Sequence, residues 1–161
     1  MKAAGSILLI FGGFMAGLFK SFALSENVNI LMSLEEAVIL FESEIEYSLS
    51  ALPEAFKKAG VCDKSGIFSL CASKILERNA ADSLREAVEE RRLCGEGKVI
   101  LQSFAEGLRA QNKEGQIKNA ELCRLRLAKA VKKAEIERDR LKKLYPALCG
   151  ACALVLMVFL M

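Results

Sequence analysis

The chain contains no histidine and no tryptophan, and its 161 residues include only two prolines, Pro53 and Pro146. Without histidine, Ser-His and Cys-His nucleophile pairs are excluded, and so are most zinc ligand sets. There is no G-x-x-x-x-G-K-[ST] segment to cradle phosphates, so the chain itself is not read as hydrolysing nucleotide. There is no strand pattern with turn punctuation, no internal repeat and no low-complexity linker. Cys62, Cys71, Cys94 and Cys123 are widely and irregularly spaced. Cys149 and Cys152 form a C-x-x-C, but inside an uncharged apolar run that disfavours thiolates. All six read as small packing residues in reduced protein. No catalytic residue, cofactor or metal ligand is assigned.

What is present is organised by the last third of the chain. From Gln116 to Tyr145 there is no Pro and no Gly. Ala120, Leu127, Ala134 and Leu141 repeat every seven residues, with Cys123, Ala130 and Leu144 three further on, which makes one apolar stripe of a helix. Lys118, Arg126, Lys129, Lys132, Lys133, Arg140 and Lys143 lie on the other side. Pro146 then opens an uncharged segment that runs to Met161. A second uncharged run spans Ala3 to Phe19 and is followed by Lys20. Both runs read as membrane helices, although both are short against the roughly 20 residues needed to span a bilayer. Lys20 and Lys143 can reach headgroups by extending their stems. Gly13 and Gly17, and Ala147 and Ala151, have the spacing of small residues that lets membrane helices approach closely.

The charge is asymmetric. Ser25 to Leu52 holds Glu26, Glu35, Glu36, Glu42, Glu44 and Glu46 and no Lys or Arg, whereas Lys113 to Lys143 is strongly basic. The basic helix lacks interleaved aromatics and any nucleic-acid fold pattern, so no nucleic acid is expected as a partner. Seven basic residues between Lys129 and Lys143 closely precede the second apolar run, and none follows it. Positive flanks stay cytoplasmic, which predicts a hairpin with both termini outside and residues 25–145 inside. A cleaved signal peptide ending near Ser21-Phe22-Ala23 is the competing reading of the first run.

The middle reads as helix throughout. Ser33-Leu34-Glu35-Glu36 has capping-box spacing. Leu34, Ala37, Val38, Phe41, Ile45, Leu49 and Leu52 follow on one face. Pro53 suits the first turn of a short helix, Glu54–Ala59, with Gly60 as its C-terminal cap. Further helices are expected over Ser65–Arg78, from a second capping box at Ser83-Leu84-Arg85-Glu86 to Leu93, and over Val99–Ala110. Gly95 and Gly97 mark a turn, and Asn112–Gly115 the last one. Glu42 and Glu44 are two apart, hence on different helix faces, which argues against paired-carboxylate catalysis.

The stretch Phe41-Glu42-Ser43-Glu44-Ile45-Glu46-Tyr47, followed by Leu52-Pro53-Glu54-Ala55, resembles the L-E-x-E-I-x-Y-x-x-x-P-L-P-E-A signature of the stage III sporulation protein AB family. A weaker likeness lies over Phe104 to Gln116. Ser48 and Ala51 stand where that family often has glycine and a first proline, Ala105 and Arg109 replace glycines, and Asn112 replaces an aspartate. The layout of the whole chain is similar too. The resemblance implies a protein of the mother-cell membrane facing the forespore, in a channel complex between the two cells. It also implies likeness to the platform protein of type II secretion systems, which contacts a cytoplasmic ATPase. Here that partner would be an ATPase like stage III sporulation protein AA, alongside other membrane subunits and the lipid bilayer.

The expectation is therefore an all-α fold: a helical bundle (25–145, cytoplasmic) between N- and C-terminal transmembrane helices (3–24 and 146–161). Its function would be that of a non-enzymatic platform subunit. The alternative is a membrane-anchored regulatory or signalling protein with a helical sensor domain. The partner-binding residues implied by the signature and its charge are Glu35, Glu42, Glu44, Glu46, Tyr47, Pro53 and Glu54. An acidic face of this kind repels itself, so it needs an offsetting partner. The internal candidate is the basic face of 118–143. The external one is the ATPase, which the resemblance favours.

Overall fold

The computed structural model describes the backbone of residues 2–47, 51–109 and 112–160, and the side chains of 24–47, 51–109, 112–142 and 144. Among the described residues there are six helices and no strand: α1 Lys2–Tyr47, α2 Leu52–Ala59, α3 Ile67–Lys74, α4 Ala80–Glu90, α5 Glu96–Gly107 and α6 Lys113–Leu160. The chain divides into two compact units, Asn29–Lys132 and the pair of end segments on either side of it.

In the Asn29–Lys132 unit the core is built around four aromatic rings. Phe41 packs against Phe56 at 4.7 Å between centroids and edge-on against Phe104 at 5.5 Å, and Phe56 continues to Phe68 at 5.6 Å. One ring each from α1, α2, α3 and α5 thus meets in a single cluster. Leu34, Ala37, Val38 and Ile45 of α1 and Ala120, Cys123 and Leu127 of α6 are buried around it. These are the residues whose helical spacing predicted the two apolar faces. Leu49 lies outside the described residues.

Several expected helix ends are corrected. Ser33 does not cap a helix, because α1 runs unbroken from Lys2. Its hydroxyl is buried in mid-helix, donating to the Ile30 carbonyl at 2.9 Å and accepting from the Lys64 backbone N–H at 3.3 Å. A buried hydroxyl needs such partners, and a long-range one removes the need for a helix end. Ser83 does not cap either: it is buried inside α4, and its hydroxyl has no hydrogen-bond partner among the described residues. The cap is Asn79, whose Oδ1 accepts from the Asp82 N–H at 2.9 Å. The α3 helix is shorter than the expected 65–78. Its start is set by Asp63, whose carboxylate accepts from the N–H groups of Ser65 at 2.8 Å and Phe68 at 2.9 Å. Gly66 takes φ +71° at its N-cap, a left-handed conformation suited to glycine. The α5 helix starts earlier than Val99, at Glu96 after Gly95 with φ +72°, so Gly97 lies within the first turn rather than in the preceding loop. Gly60 follows α2 but is right-handed at φ −61°. What requires glycine there is close approach: a Cβ would lie 2.9 Å from the Ser69 backbone nitrogen.

The end segments continue α1 and α6, and α6 passes through Pro146 without a break. Among the described residues no helix is long and apolar enough to cross a membrane. The side chains of the two apolar runs lie outside the described residues, and so do Gly13, Gly17, Ala147 and Ala151 as packing positions.

Candidate partner-binding surface

One turn of α1 sends its acidic side chains in three directions. Glu42 turns to α6, where its Oε2 lies 3.1 Å from Arg124 Nε. The pairing is electrostatic, since Nε makes no hydrogen bond of proper angle there. Glu44 turns to α2 and pairs with Lys58 at 2.5 Å. Glu46 turns outward and forms no ion pair among the described residues, although its backbone carbonyl accepts from Lys113 Nζ at 2.9 Å. Tyr47 beside it is 78% exposed. Glu35 is half-buried and Glu54 exposed. The internal and external alternatives for the acidic face therefore divide by residue. Glu42 and Glu44 already have basic partners within the chain, whereas Glu46 faces solvent.

Arg124 falls within the basic 118–143 stretch expected as the internal partner, whereas Lys58 and Lys113 lie outside it. Only the bundle brings them to α1, and no short-range spacing signals such pairs. The ion pairs are partly exposed, and pairs of that kind contribute about 0–1 kcal/mol each.

Pro53 and Glu54, at the start of α2, border a shallow open groove of about 300 Å³ between α2 and α3. Lys57, Ser69, Ala72, Ser73 and Leu76 complete it, and Leu76 is 80% exposed.

On the far side of α3, Lys74 donates to Glu86 at 2.8 Å and to Glu90 at 2.5 Å, and Arg78 donates to Glu86 at 2.7 Å. These bonds raise the Lys74 pKa, and the bond from Lys74 holds the Glu86 carboxyl below its ordinary range. The cluster ties α3 to α4 on the surface. The Cys71 and Cys123 thiols are pushed up to about 12 by burial, which makes them packing groups rather than nucleophiles. Among the described residues no group of side chains has a metal-binding arrangement.

The described residues form an all-α helical bundle that exposes Glu46, Tyr47 and an apolar groove between α2 and α3. The chain belongs to the stage III sporulation protein AB family, whose family model matches residues 2–161. A solved structure of a stage III sporulation protein AB (SpoIIIAB) has the same fold, with a TM-score of 0.65 and 18% identity over 71% of this chain and 98% of that one. Comparison with curated proteins gives no match.

Proposed function

We propose that this sporulation protein is a non-enzymatic membrane platform subunit of the channel complex between mother cell and forespore. In this reading residues 3–24 and 146–161 cross the mother-cell membrane, and Gly13, Gly17, Ala147 and Ala151 allow close packing there. Residues 25–145 face the mother-cell cytoplasm and dock an ATPase like stage III sporulation protein AA. The docking surface is drawn from Glu35, Glu42, Glu44, Glu46, Tyr47, Pro53 and Glu54.

The observation that carries this reading is the exposure of the signature where it ends. Its apolar positions, Phe41 and Ile45, are buried and explained by the core. Glu46, Tyr47 and Glu54 are exposed, and among the described residues their side chains form no ion pair; Glu54 serves the fold only as the acid in the first turn of α2. Core packing does not account for an exposed tyrosine beside an acid at the end of the signature helix, whereas binding does.

A pull-down from sporulating cells, with the tagged protein in mild detergent, tests it. The ATPase and other membrane subunits are expected to co-purify. The triple variant Glu46→Lys, Tyr47→Ala and Glu54→Lys is expected to lose the ATPase while keeping its melting temperature. Unchanged ATPase recovery would reject the surface. Absence of the ATPase from the wild-type pull-down, with a small ligand bound in the α2–α3 groove instead, would favour the regulatory alternative. Reporter fusions at Met161 test the topology, and activity of a cytoplasm-only reporter there would sink the hairpin.

A further inference from the structure

Two helix faces in the Asn29–Lys132 unit are left without partners, and their charges are opposite. On α1, Glu44 bonds towards α2 and Ser33 towards Lys64, while Glu42 bonds towards α6. The side left over carries Met32, Glu36, Ile39, Ser43 and Glu46, all exposed and spaced alternately four and three apart. On α6, Arg124 turns to α1, and Arg126 donates to Ser103 of α5 at 2.9 Å. The side left over there carries Lys118, Leu122, Leu125, Lys129 and Lys132, all exposed with the same alternation. Alternating four and three is the spacing of a seam between two helices. Met32 and Ile39 are 41% and 45% exposed, and Leu122 and Leu125 are 47% and 48%. Among the described residues none of Glu36, Glu46, Lys118, Lys129 and Lys132 forms a side-chain ion pair.

The register of the two stripes is fixed within the chain. Glu42 lies beside Arg124, and Lys113 reaches the Glu46 carbonyl, so α1 and α6 run antiparallel here. Counting away from the Glu42–Arg124 pair at about 1.5 Å per residue on both helices places each position of α1 level with one of α6. Ile39 is level with the gap between Leu125 and Lys129. Glu36 is level with the gap between Lys129 and Lys132, and Glu46 with the gap between Lys118 and Leu122.

We propose that this two-helix face is a contact between two copies of this chain, in which α1 of each copy packs on α6 of the other. A two-fold axis parallel to the helices preserves height. It therefore sets Ile39 against Leu125 and Glu36 against Lys129 and Lys132, at both of the equivalent seams. The contact is self-complementary, as a two-fold interface must be. The competing arrangements are disfavoured by charge. Packing α1 on α1 brings Glu36 and Glu46 towards their own copies, and α6 on α6 brings Lys129 and Lys132 together. Exposed apolar residues taken singly are ordinary. Here Ile39 matches Leu125 in register, and Glu36 matches Lys129 and Lys132, while Met32 and Leu122 fall outside these pairs.

Sedimentation of the full chain in mild detergent, over a range of concentration and salt, tests the contact. A monomer–dimer equilibrium that weakens as salt rises is expected, because the seam includes the charge pairs of Glu36 with Lys129 and Lys132. Lys129→Glu with Lys132→Glu is expected to weaken association by about tenfold or more, by placing acid against Glu36. Adding Glu36→Lys to that pair is expected to restore association to within about threefold of wild type, since the pairing is then reversed rather than removed. Ile39→Asp is expected to abolish the dimer. All four positions are exposed, and circular dichroism of each variant checks that its helices are intact. A monomer at every concentration overturns the proposal. So does a dimer that none of these variants changes, since its contact then lies elsewhere. None of the four residues belongs to the proposed ATPase-docking set, so ATPase recovery with the same variants separates failure of this contact from failure of that reading.

Discussion

Asn119 of α6 donates from Nδ2 to the backbone carbonyl of Phe104 in α5, at 2.8 Å, across the bare Cα of Gly107. The carbonyl also accepts from the Leu108 backbone N–H at 3.2 Å, so Asn119 takes up its second lone pair. A Cβ on Gly107 would occupy the space of the Asn119 amide. Glycine on one helix thus makes room for a side-chain cap supplied by another. Asn119→Ala is expected to cost about 0.5–1.5 kcal/mol for the lost hydrogen bond. Gly107→Ala is expected to be destabilising in the wild-type chain and neutral or stabilising in the Asn119→Ala background. A double-mutant cycle by denaturant unfolding measures the coupling, and strict additivity would show that the two residues do not compete for space.

The aromatic cluster sets the scale of the core. Phe41→Ala is expected to cost about 3–5 kcal/mol, because the ring touches both Phe56 and Phe104 and the site cannot collapse from two sides. Ile45→Ala is expected to cost about 2–5 kcal/mol. Glu46→Ala, one residue on but exposed, should cost under about 0.5 kcal/mol. Equal denaturant midpoints for Ile45→Ala and Glu46→Ala would mean that the faces of α1 are misassigned.

Asp63 is 7% exposed and holds the turn between α2 and α3. It accepts from the Ser65 N–H, the Ser65 hydroxyl at 2.5 Å and the Phe68 N–H. Asp63→Ala is expected to cost about 1–2 kcal/mol, the upper part of the range for a lost helix cap, since the freed N–H of Phe68 stays buried. Asp63→Asn should recover part of this, because an amide oxygen can still accept from one N–H. Full recovery by Asn would show that the second carboxylate oxygen does no capping.

Thiol chemistry separates the cysteines of the bundle. Burial raises Cys71 and Cys123 to about 12, so their thiolates are scarce at pH 8. Cys94 is exposed. Brief alkylation of the native chain at pH 8 is expected to label Cys94 and spare Cys71 and Cys123, which react on unfolding. Mass spectrometry of the peptides reads the result, and rapid native labelling of Cys123 would show that α6 does not seal that site.

Only part of this was legible along the chain. The spacing of Phe41, Ile45, Ala120 and Leu127 marked the buried faces, because a side chain's direction on a helix depends only on its neighbours in sequence. The same spacing could not say that Ser33 lies in mid-helix. A serine three residues before a glutamate has the pattern of a cap, and only the N–H of Lys64, thirty-one residues on, decides otherwise. The acidic signature was visible as a row of charges. Its division into Glu42 for α6, Glu44 for α2 and Glu46 for solvent was not.

What the sequence determined by itself was local: helical class, the apolar stripes, the acidic and basic halves, and a family signature whose buried and polar positions alternate as a helix requires. The tertiary structure alone decided which charges meet. Arg124 stands eighty-two residues beyond Glu42, and Asn119 fifteen beyond Phe104. Contacts at such separation depend on how the helices pack around the Phe41, Phe56 and Phe104 rings, and no periodicity within one segment carries that information.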